Sequence, residues 1–506
     1  MNPPNSPNEP KPQKQTRRPL ALIALILSMF MAAMEMTIIS TAMPSVVGDL
    51  GGIQLYAWVF TSYLVASTVM VPIFGKLADL FGRKPVLMFG LAVFLASSVA
   101  CGFAETMGQL VVFRALQGFG AGAMQPIVIT VIGDLYTLKE RARIQGMVGA
   151  VWGFAGLVGP LLGGLIVKTI SWPWVFFINV PFGVASMIML WLFLHERVEK
   201  KRHALDFAGA SVFTVAILLL LAGTSGGQTG LGLWPLLPAA ALLVLFVYIE
   251  RRAKEPLLPI PLMQRPVIAL ANVSSMLIGA AMMATVTYVP LYVQGILGGT
   301  PTEAGSAITP MVIGWPIAST LSGRLIPRFG FRPFIRIGSA LAFVSAVALA
   351  LLTGPDVSVP VLQAVMFVYG AGLGFASTAL MLSVQTAVEW NQRGVATASN
   401  MFFRTIGGTL AVGALGGILA SMLSRVPGAP PGAADALLGA DHGRSLEPAL
   451  FEVLSGALDR ALHVSFWVVA GLATLAVIVA LVFPNERASA PGSTTGSTTD
   501  AAEKPA

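Results

Sequence analysis

The residues most able to do chemistry in this sequence are charged side chains inside long apolar runs. Glu35 lies within the run 20–44, and Arg114 and Arg404 lie within two later runs. A charge at the centre of a membrane helix costs about 2.5–3.5 kcal/mol on insertion scales, so such a residue indicates a functional site. A buried carboxyl can take up and release a proton, and a guanidinium, which stays charged, can relay or control that proton.

The composition is that of a membrane protein. Of the 506 residues, 55% are hydrophobic and 11% are charged, and the mean hydropathy is +0.79. A soluble domain carries roughly 25% charged residues. Cys101 is the only cysteine, which excludes an internal disulfide and any zinc site that needs two thiolates. We therefore expect no metal and no bound cofactor.

Fourteen apolar segments have the length that spans a bilayer, about 20 residues each. They are predicted at 20–43, 57–76, 86–104, 108–132, 144–167, 174–194, 206–223, 233–250, 266–292, 304–326, 334–353, 360–384, 396–423 and 464–483. Most of the 31 basic residues fall in alternate connections, and the other connections hold only Lys168, Arg425, Arg444 and Arg460. Because cytoplasmic loops collect Lys and Arg, both termini are predicted to be cytoplasmic and the chain to lie in the cell membrane. This orientation puts Glu35 in the outer half of the membrane, and it explains the net charge of +8 without nucleic acid.

An internal repeat divides the chain into two similar parts. GKLADLFGRKP at 75–85 and GRLIPRFGFRP at 323–333 share Gly, Leu, Phe, Gly and Pro at a constant offset. Parallel repeats of this kind place a substrate site near the membrane midplane, between two halves that rock against each other. We predict an all-α membrane protein with two six-helix halves and two extra central helices.

The predicted units follow from the repeat and from the composition of the tails. They are a disordered tail at 1–18, a first half at 19–195, two inserted helices at 196–255, a second half at 256–484 and a disordered tail at 485–506. A long outer loop is predicted at 425–462. Its second part has apolar residues on one helical face from 446 to 458, which predicts an amphipathic helix at the membrane surface.

Four motifs resemble those of a known family. GKLADLFGRK at 75–84 is similar to the second-loop motif of the major facilitator superfamily, and FRALQGFGAG at 113–122 is similar to its fourth-span motif. GAVWGFAGLVGPLLGG at 149–164 resembles the fifth-span antiporter signature. WVFFINVPFG at 174–183, together with fourteen spans, resembles the drug/proton antiporter branch that has two extra central helices. The resemblance implies proton-driven export of hydrophobic, often cationic compounds.

The proton-coupling site is predicted around Glu35. In the fourth span, Arg114, Gln117 and Gln125 share one helical face, and we expect Glu35, Arg114 and Gln117 to couple protons to substrate. Three roles remain open for Glu35: proton carrier, direct partner of a cationic substrate, or a neutral carboxyl hydrogen-bonded for packing. For Arg114, the alternative is a structural anchor on backbone carbonyls. The substrate cavity is predicted to include Met31, Gln125, Asn400 and Arg404.

Two further groups of residues are predicted to control the conformation. A latch in the second loop consists of Gly75, Asp79, Gly82 and Arg83, with an Asp79–Arg83 ion pair; the alternative is a basic turn without a switching role. A gate on the fifth span is predicted at Gly149, Gly153, Gly156, Gly159, Pro160 and Gly163. Its alternative is ordinary packing of small residues.

The predicted function is a secondary active exporter, a multidrug/proton antiporter that works by alternating access as a monomer. Its expected partners are small hydrophobic or cationic molecules, protons and the lipid bilayer. One alternative is an exporter of an endogenous lipid, siderophore or other metabolite. A membrane-embedded enzyme or sensor is less favoured, because the sequence has neither an intramembrane His/Asp/Ser group nor a GxxxxGK[ST] nucleotide loop.

Overall fold

A computed structural model gives the architecture of the chain. It describes residues 16–136, 138–196, 207–224, 234–253, 260–354, 357–389, 393–427, 430, 433–437 and 447–484. Across those ranges the regular elements are α-helices, apart from a short 3-10 turn at Ile53–Leu55. The predicted tails 1–18 and 485–506 lie outside the described residues, except for residues 16 to 18.

The helices alternate in direction along the chain. In the first part they are α1 Arg18–Leu50, α2 Tyr56–Phe81, α3 Arg83–Gly102, α4 Met107–Leu135, α5 Leu138–Thr169, α6 Trp174–Phe177 and α7 Asn179–Phe193. Two follow in the middle, α8 Phe207–Thr224 and α9 Leu236–Arg252. The last part has α10 Ile260–Met263, α11 Pro266–Gly295, α12 Pro301–Phe329, α13 Arg332–Leu352, α14 Val359–Thr386, α15 Arg393–Ser424, α16 Ala433–Ala436 and α17 Pro448–Val482.

Ten of the helices in the described ranges are long and apolar enough to cross a membrane. Many of their outward side chains are apolar and uncovered, such as Trp191 at 66% and Val244 at 72% exposure. Surfaces of this kind are stable in hydrocarbon, where a helix also satisfies all its backbone hydrogen bonds internally. The prediction of an all-α membrane protein is confirmed, and the predicted count of fourteen spans is compatible with these helices.

Each packing pair in the first half recurs in the second. In the first, α2 and α3 pack on α4, α1 packs on α5, and α7 packs on α1 and α3. In the second, α12 and α13 pack on α14, α11 packs on α15, and α17 packs on α11 and α13. The halves meet along two seams, α5 with α12 and α2 with α15, and α8 and α9 pack on each other beside the second seam.

The repeated loop motif has the same geometry in both halves. Gly82 between α2 and α3 has φ +94°, and Gly330 between α12 and α13 has φ +80°. Side chains strongly disfavour this region, so glycine makes both tight turns possible. A basic residue after each turn also binds the end of the last helix of its half. The Lys84 ammonium donates to the Leu194 carbonyl at 2.7 Å, and the Arg336 guanidinium donates to the Leu481 carbonyl at 2.6 Å.

These contacts define the two ends of the bundle. We call the end where α1 begins and α17 ends the terminal face, and the other end the opposite face. Helices α1 and α7 meet at the terminal face, where the Arg17 amide donates to the Phe193 carbonyl at 3.1 Å.

The second part of the predicted outer loop at 425–462 is helical, as its apolar pattern predicted, and it is continuous with the last span. Residues 448–462 are the beginning of α17, which continues as one helix of 35 residues to Val482. The predicted apolar face exists, but Leu454, Ala457 and Leu458 are buried in the protein core instead of lying on a membrane surface. The apolar pattern identified a buried face correctly. It did not indicate what covers the face, which is α11 and α13.

Candidate functional site

A buried ion pair between α1 and α4 forms the centre of the site. Arg114 Nη1 donates to Glu35 Oε1 at 2.5 Å and to Gln117 Oε1 at 2.6 Å. Arg114 Nε donates to the Val59 carbonyl at 3.2 Å. The side chains of Glu35 and Arg114 are 0% and 1% exposed, so water does not screen their attraction. The structure therefore brings together the three residues predicted to couple protons to substrate.

Two residues from α3 and α7 complete the network. Asn179 Nδ2 donates to Glu35 Oε2 at 2.6 Å and to Ser98 Oγ at 3.1 Å. Ser98 Oγ also accepts a hydrogen bond from Gln117 Nε2 at 2.9 Å. One polar atom is left over, because Asn179 Oδ1 is buried without a hydrogen-bond partner among the described residues. The Glu35 carboxylate therefore accepts hydrogen bonds from Arg114 and Asn179. The amide oxygen of the same Asn179 accepts none among the described residues.

The Arg114 guanidinium is also held over an aromatic ring. Its carbon Cζ lies 4.2 Å from the centroid of the Tyr63 ring, which stabilises the cation. Helix α4 approaches α2 closely enough for this contact because Gly118 has no side chain. A Cβ atom at Gly118 would stand 2.9 Å from the Tyr63 Cα atom. The close approach at Gly118 therefore places Arg114, one turn earlier on α4, over the Tyr63 ring.

Sequence reasoning missed Ser98, Asn179 and Tyr63. Asn179 lies within WVFFINVPFG, which was noted as a motif without assigning a role to its asparagine. It is the only side-chain amide in that motif, and this could have identified it as a candidate site residue. Ser98 and Tyr63 have no comparable signal, since serine and tyrosine are common in membrane helices.

The site lies nearer the opposite face than the terminal face. Arg114 is about 10 Å from the beginning of α4, Ser98 is about 6 Å from the end of α3, and Asn179 begins α7. Glu35 itself stands near the middle of α1, because α1 continues to Leu50, beyond the predicted end of the span.

The predicted substrate-cavity residues do not share one place. Asn400 and Arg404 line a cavity of about 160 Å³ in the second half. Met31 is fully buried in the apolar core of the first half and lines neither this cavity nor a second one beside Arg114. Gln125 is half-buried, about 12 Å along α4 from Gln117, and does not join the network. Only the second-half pair therefore contributes to a cavity.

The second cavity is a narrow space of about 10 Å³ between the halves. Arg114 and Tyr63 form one side, and Met283 and Thr287 of α11 form another. This volume holds about one water molecule. The ion pair is therefore next to the boundary between the halves, but closed off from both faces.

The described part of the latch shows contacts of Arg83 with α4 and of the turn with Glu196. The Arg83 guanidinium contacts the Asp134 carboxylate at the end of α4. The backbone amides of Arg83 and Lys84 each donate at 2.9 Å to the Glu196 carboxylate, which caps the beginning of α3. The side chain of Asp79 lies outside the described residues, so its pairing with Arg83 stays a prediction.

The small residues of α5 face two different helices. Gly159 and Gly163 face α1, and a Cβ atom at Gly163 would stand 2.7 Å from the Ile38 carbonyl oxygen. The Thr37 hydroxyl donates to a carbonyl of α5 at 3.3 Å in the same contact. The surroundings of Gly149 lie outside the described residues. This face joins α5 to the helix that carries Glu35.

The other small face of α5 packs against the second half. A Cβ atom at Gly156 would meet Val312 of α12 at 2.5 Å, and the Pro160 carbonyl faces Gly305 of α12. Gly153 has more room, with its nearest neighbour in α12 at 3.2 Å. One side of α5 therefore contacts α1, which carries Glu35, and another side contacts α12 of the second half. A movement of α1 can be transmitted through α5 to α12.

The halves are joined near the opposite face. Tyr56 Oη donates to the Thr287 carbonyl at 2.8 Å, and Gln294 Nε2 donates to the Thr41 carbonyl at 3.1 Å. The Asp435 carboxylate accepts hydrogen bonds at 2.8 and 2.7 Å from two backbone amides in the turn between α1 and α2. These bonds all link the first half to the second.

The repeated glycines are open at the terminal face. Among the described residues, neither Gly75 nor Gly323 has an atom within 4 Å of the position that a Cβ atom would take, apart from its own chain neighbourhood. The phenylalanines of the same motif, Phe81 and Phe329, are 65% and 54% exposed. The three hydrogen-bonded links between the halves given above lie toward the opposite face, and the two repeated glycines lie at the terminal face.

Metal and cofactor chemistry has no group of residues to support it in the described ranges. No three His, Cys, Asp or Glu side chains there come together in a way that could hold a metal ion. The chemistry available at the ion pair is proton exchange at the Glu35 carboxylate and charge attraction.

Comparisons with known proteins agree with this geometry. A family model described as the Major Facilitator Superfamily matches residues 25–412. A multidrug transporter protein, MdtP of Bacillus subtilis, is 40% identical over 81% of this chain and 76% of its own length. Multidrug resistance protein 3 of the same organism is 37% identical over 79% of each chain. An Acurin A biosynthesis cluster MFS-type transporter of Aspergillus aculeatus is 28% identical over 78% of this chain and 74% of its own length.

Solved structures show the same fold. A bacterial homolog of the human lysosomal transporter Spinster, in an inward-facing and occupied conformation, superposes with a TM-score of 0.65 at 15% identity, covering 94% of this chain and 99% of that one. An auto-inhibited POT family peptide transporter superposes with a TM-score of 0.63 at 16% identity, covering 92% and 95%.

Proposed function

Because this chain belongs to the major facilitator superfamily and is a transporter rather than an enzyme, we propose that it is a secondary active exporter that exchanges small hydrophobic or cationic molecules for protons. The observation that carries this proposal is the fully buried Glu35–Arg114 ion pair. The multidrug transporters among its relatives support efflux of drug-like molecules.

Binding of a proton to Glu35 would convert the ion pair from one arrangement to another. In the first, the Glu35 carboxylate is charged and accepts hydrogen bonds from Arg114 and Asn179. A proton on Glu35 removes that charge, and Arg114 then keeps its bonds to Gln117 and the Val59 carbonyl. Glu35 would then contribute a weaker, neutral hydrogen bond instead of an ion pair. Protonation thus changes how firmly α1 is held to α4 without leaving the guanidinium unsatisfied.

Alternating access follows from the contacts of α5. Helix α5 packs on α1 through Gly159 and Gly163 and on α12 through Gly156. A shift of α1 relative to α4 would move α5 and the seam between the halves. The contacts near the opposite face would then open, and the glycines at the terminal face would close. This assigns the gating role to the small residues of α5.

The orientation and setting belong to the same proposal. The terminal face is cytoplasmic and the opposite face is outside, since most basic residues lie in connections at the terminal face. The protein works as a monomer in the cell membrane and uses protons without another cofactor. The described conformation then corresponds to one that is closed outside, and Glu35 exchanges its proton most readily when the cavity faces outward.

Substrate-coupled proton movement in inside-out membrane vesicles tests the proposal. With an acidic vesicle interior, adding a transported drug should release protons, which a pH-sensitive dye reports. Glu35→Gln should abolish this release. Glu303→Gln is the matched control, because it makes the same chemical change at an exposed capping residue of α12. Full coupling in Glu35→Gln would exclude the carboxyl as proton carrier, and transport that needs ATP after the gradient is collapsed would exclude antiport.

A second candidate function is export of an endogenous metabolite. It is favoured by the similarity to a transporter of a biosynthesis cluster, whose name points to a natural product rather than a drug. Metabolite profiles of cells with and without the gene separate the two functions. One compound that is trapped in the cells lacking the gene would favour this candidate, and unchanged profiles with lost drug resistance would favour the first.

A further inference from the structure

The cavity of the second half is lined by both polar and apolar side chains, and it shares no lining residue with the cavity beside Arg114. Its walls come from α11, α12, α14 and α15, and its volume is about 160 Å³. Two hydrogen bonds hold these walls together: Ser319 with Thr378 at 2.6 Å, and Ser275 with Asn400 at 3.1 Å. A cavity of this size holds about one aromatic ring, so it can take one end of a drug-sized molecule.

Arg404 gives this cavity an uncompensated positive charge. Of the eleven residues that line it, Arg404 is the only one with an ionisable side chain. Its guanidinium has no hydrogen bond or ion pair to any residue in the described ranges. Arg114 offers the contrast, because its charge is balanced by Glu35 and its nitrogens bond a carbonyl and an amide.

An anchoring role does not account for Arg404. An anchor would bind backbone carbonyls or reach the membrane surface. Arg404 is bound to no described carbonyl, and it lies about 16 Å along α15 from Arg393, roughly half the thickness of the hydrocarbon core. Its stem passes over Gly279 of α11, where a Cβ atom would stand 2.8 Å from the Arg404 Cγ atom. The missing side chain at Gly279 makes room for the arginine.

We propose that this cavity is a subsite for the anionic group of an amphiphilic aromatic substrate, a carboxylate or a sulfonate. The guanidinium presents a planar fork of donors that matches such groups. Ser319 and Thr378 share one hydrogen bond, so the pair leaves one hydroxyl hydrogen as a further donor. Trp315, Ile278 and Met401 supply an apolar surface for the attached ring. The inference rests on the proposed export function and extends its substrates from neutral and cationic molecules to anionic and zwitterionic ones.

A matched pair of fluorescent probes tests this subsite. Anilinonaphthalene sulfonate and N-phenylnaphthylamine share a ring system, and only the first has an anionic group. Binding to the purified protein in lipid nanodiscs is measured for both, with the signal of empty nanodiscs subtracted. In Arg404→Met, the affinity for the sulfonate should fall at least about tenfold, which corresponds to ~1.4 kcal/mol. The affinity for the neutral probe should stay within about twofold.

Three variants control the interpretation. Arg404→Lys keeps the charge and should retain most of the preference for the sulfonate. Arg425→Met removes the same charge just beyond the other end of α15 and should change neither affinity. Arg404→Gln replaces Arg404→Met if that variant does not fold. Equal loss for both probes, or no loss for the sulfonate, would overturn the proposal.

Transport of the neutral probe separates this inference from the proposed function. Uptake into inside-out vesicles that is driven by a pH gradient reports on export. If the neutral probe is taken up but the protein does not bind the sulfonate probe through Arg404, the subsite is refuted and the export function stands. A sulfonate preference without any driven uptake supports the subsite and refutes the exporter.

Discussion

The coupling between Glu35 and Arg114 should be measurable as a free energy of unfolding. The three variants are Glu35→Gln, Arg114→Met and the double variant. Glu35→Gln removes the negative charge but keeps an acceptor for the guanidinium. Arg114→Met removes the positive charge and its contact with Tyr63 but keeps most of the side-chain volume. The double variant leaves no charge in the site.

The expected magnitudes follow from complete burial of both side chains. Removing one partner of a buried ion pair costs about 3–5 kcal/mol, because the other charge is left without compensation. Solvent screening does not reduce this, as the side chains are 0% and 1% exposed. The double variant leaves no uncompensated charge. Its free energy of unfolding should therefore fall by less than the sum of the two single decreases, and the difference should be about 2 kcal/mol or more. This is a large share of the ~5–15 kcal/mol that stabilises a typical native protein.

Unfolding by SDS in mixed micelles, followed by circular dichroism, gives the four free energies of the cycle. Size-exclusion chromatography confirms that each variant starts folded. Losses that add within about 0.5 kcal/mol would mean that the two residues do not interact energetically, which would refute the reasoning from the geometry.

Five other substitutions test the elements around the site. Gly163→Ala should destabilise the protein by about 1–3 kcal/mol in thermal unfolding, because α1 leaves no room for a Cβ atom, whereas Gly153→Ala should cost less. Gly82→Ala should lower the free energy of unfolding by about 1–3 kcal/mol, because Gly82 has a φ of +94°. Gly75→Ala should leave stability unchanged, since its Cβ atom would meet no described atom in this conformation. The same substitution should slow transport if the terminal face closes on it. Asp435→Asn should weaken the closure of the opposite face, seen as faster labelling there by an impermeant reagent at an engineered cysteine; unchanged labelling would show that Asp435 does not hold that face shut.

The fold was largely predictable because the membrane imposes a simple rule on the sequence. A span must be a long apolar helix, so each long described helix begins or ends near a predicted boundary. The repeat matches Gly82 with Gly330, and the structure places a tight turn at both, because each turn needs a residue without a side chain. The apolar pattern at 446–458 predicted a helix but not its surroundings, because a helix on a membrane surface has the same pattern as a helix that packs on other helices.

The site was predictable only in part. Charge inside an apolar run identified Glu35, Arg114 and Arg404, because each such residue is expensive in hydrocarbon. Their partners could not be predicted in this way. Ser98 and Asn179 are uncharged, and their importance comes from positions set by the packing of α3 and α7.

The sequence by itself therefore determined the kind of protein, the positions of the helices and the charged residues that need an explanation, since all three depend on local composition and spacing. The tertiary structure decided how those charges are compensated. Two arginines of the same type lie in similar apolar helices, and only the contacts between helices distinguish them. Arg114 meets a carboxylate 79 residues away, and Arg404 meets a cavity lined by polar and apolar side chains. Pairing across such separations depends on three-dimensional packing, which a pattern along one chain does not contain.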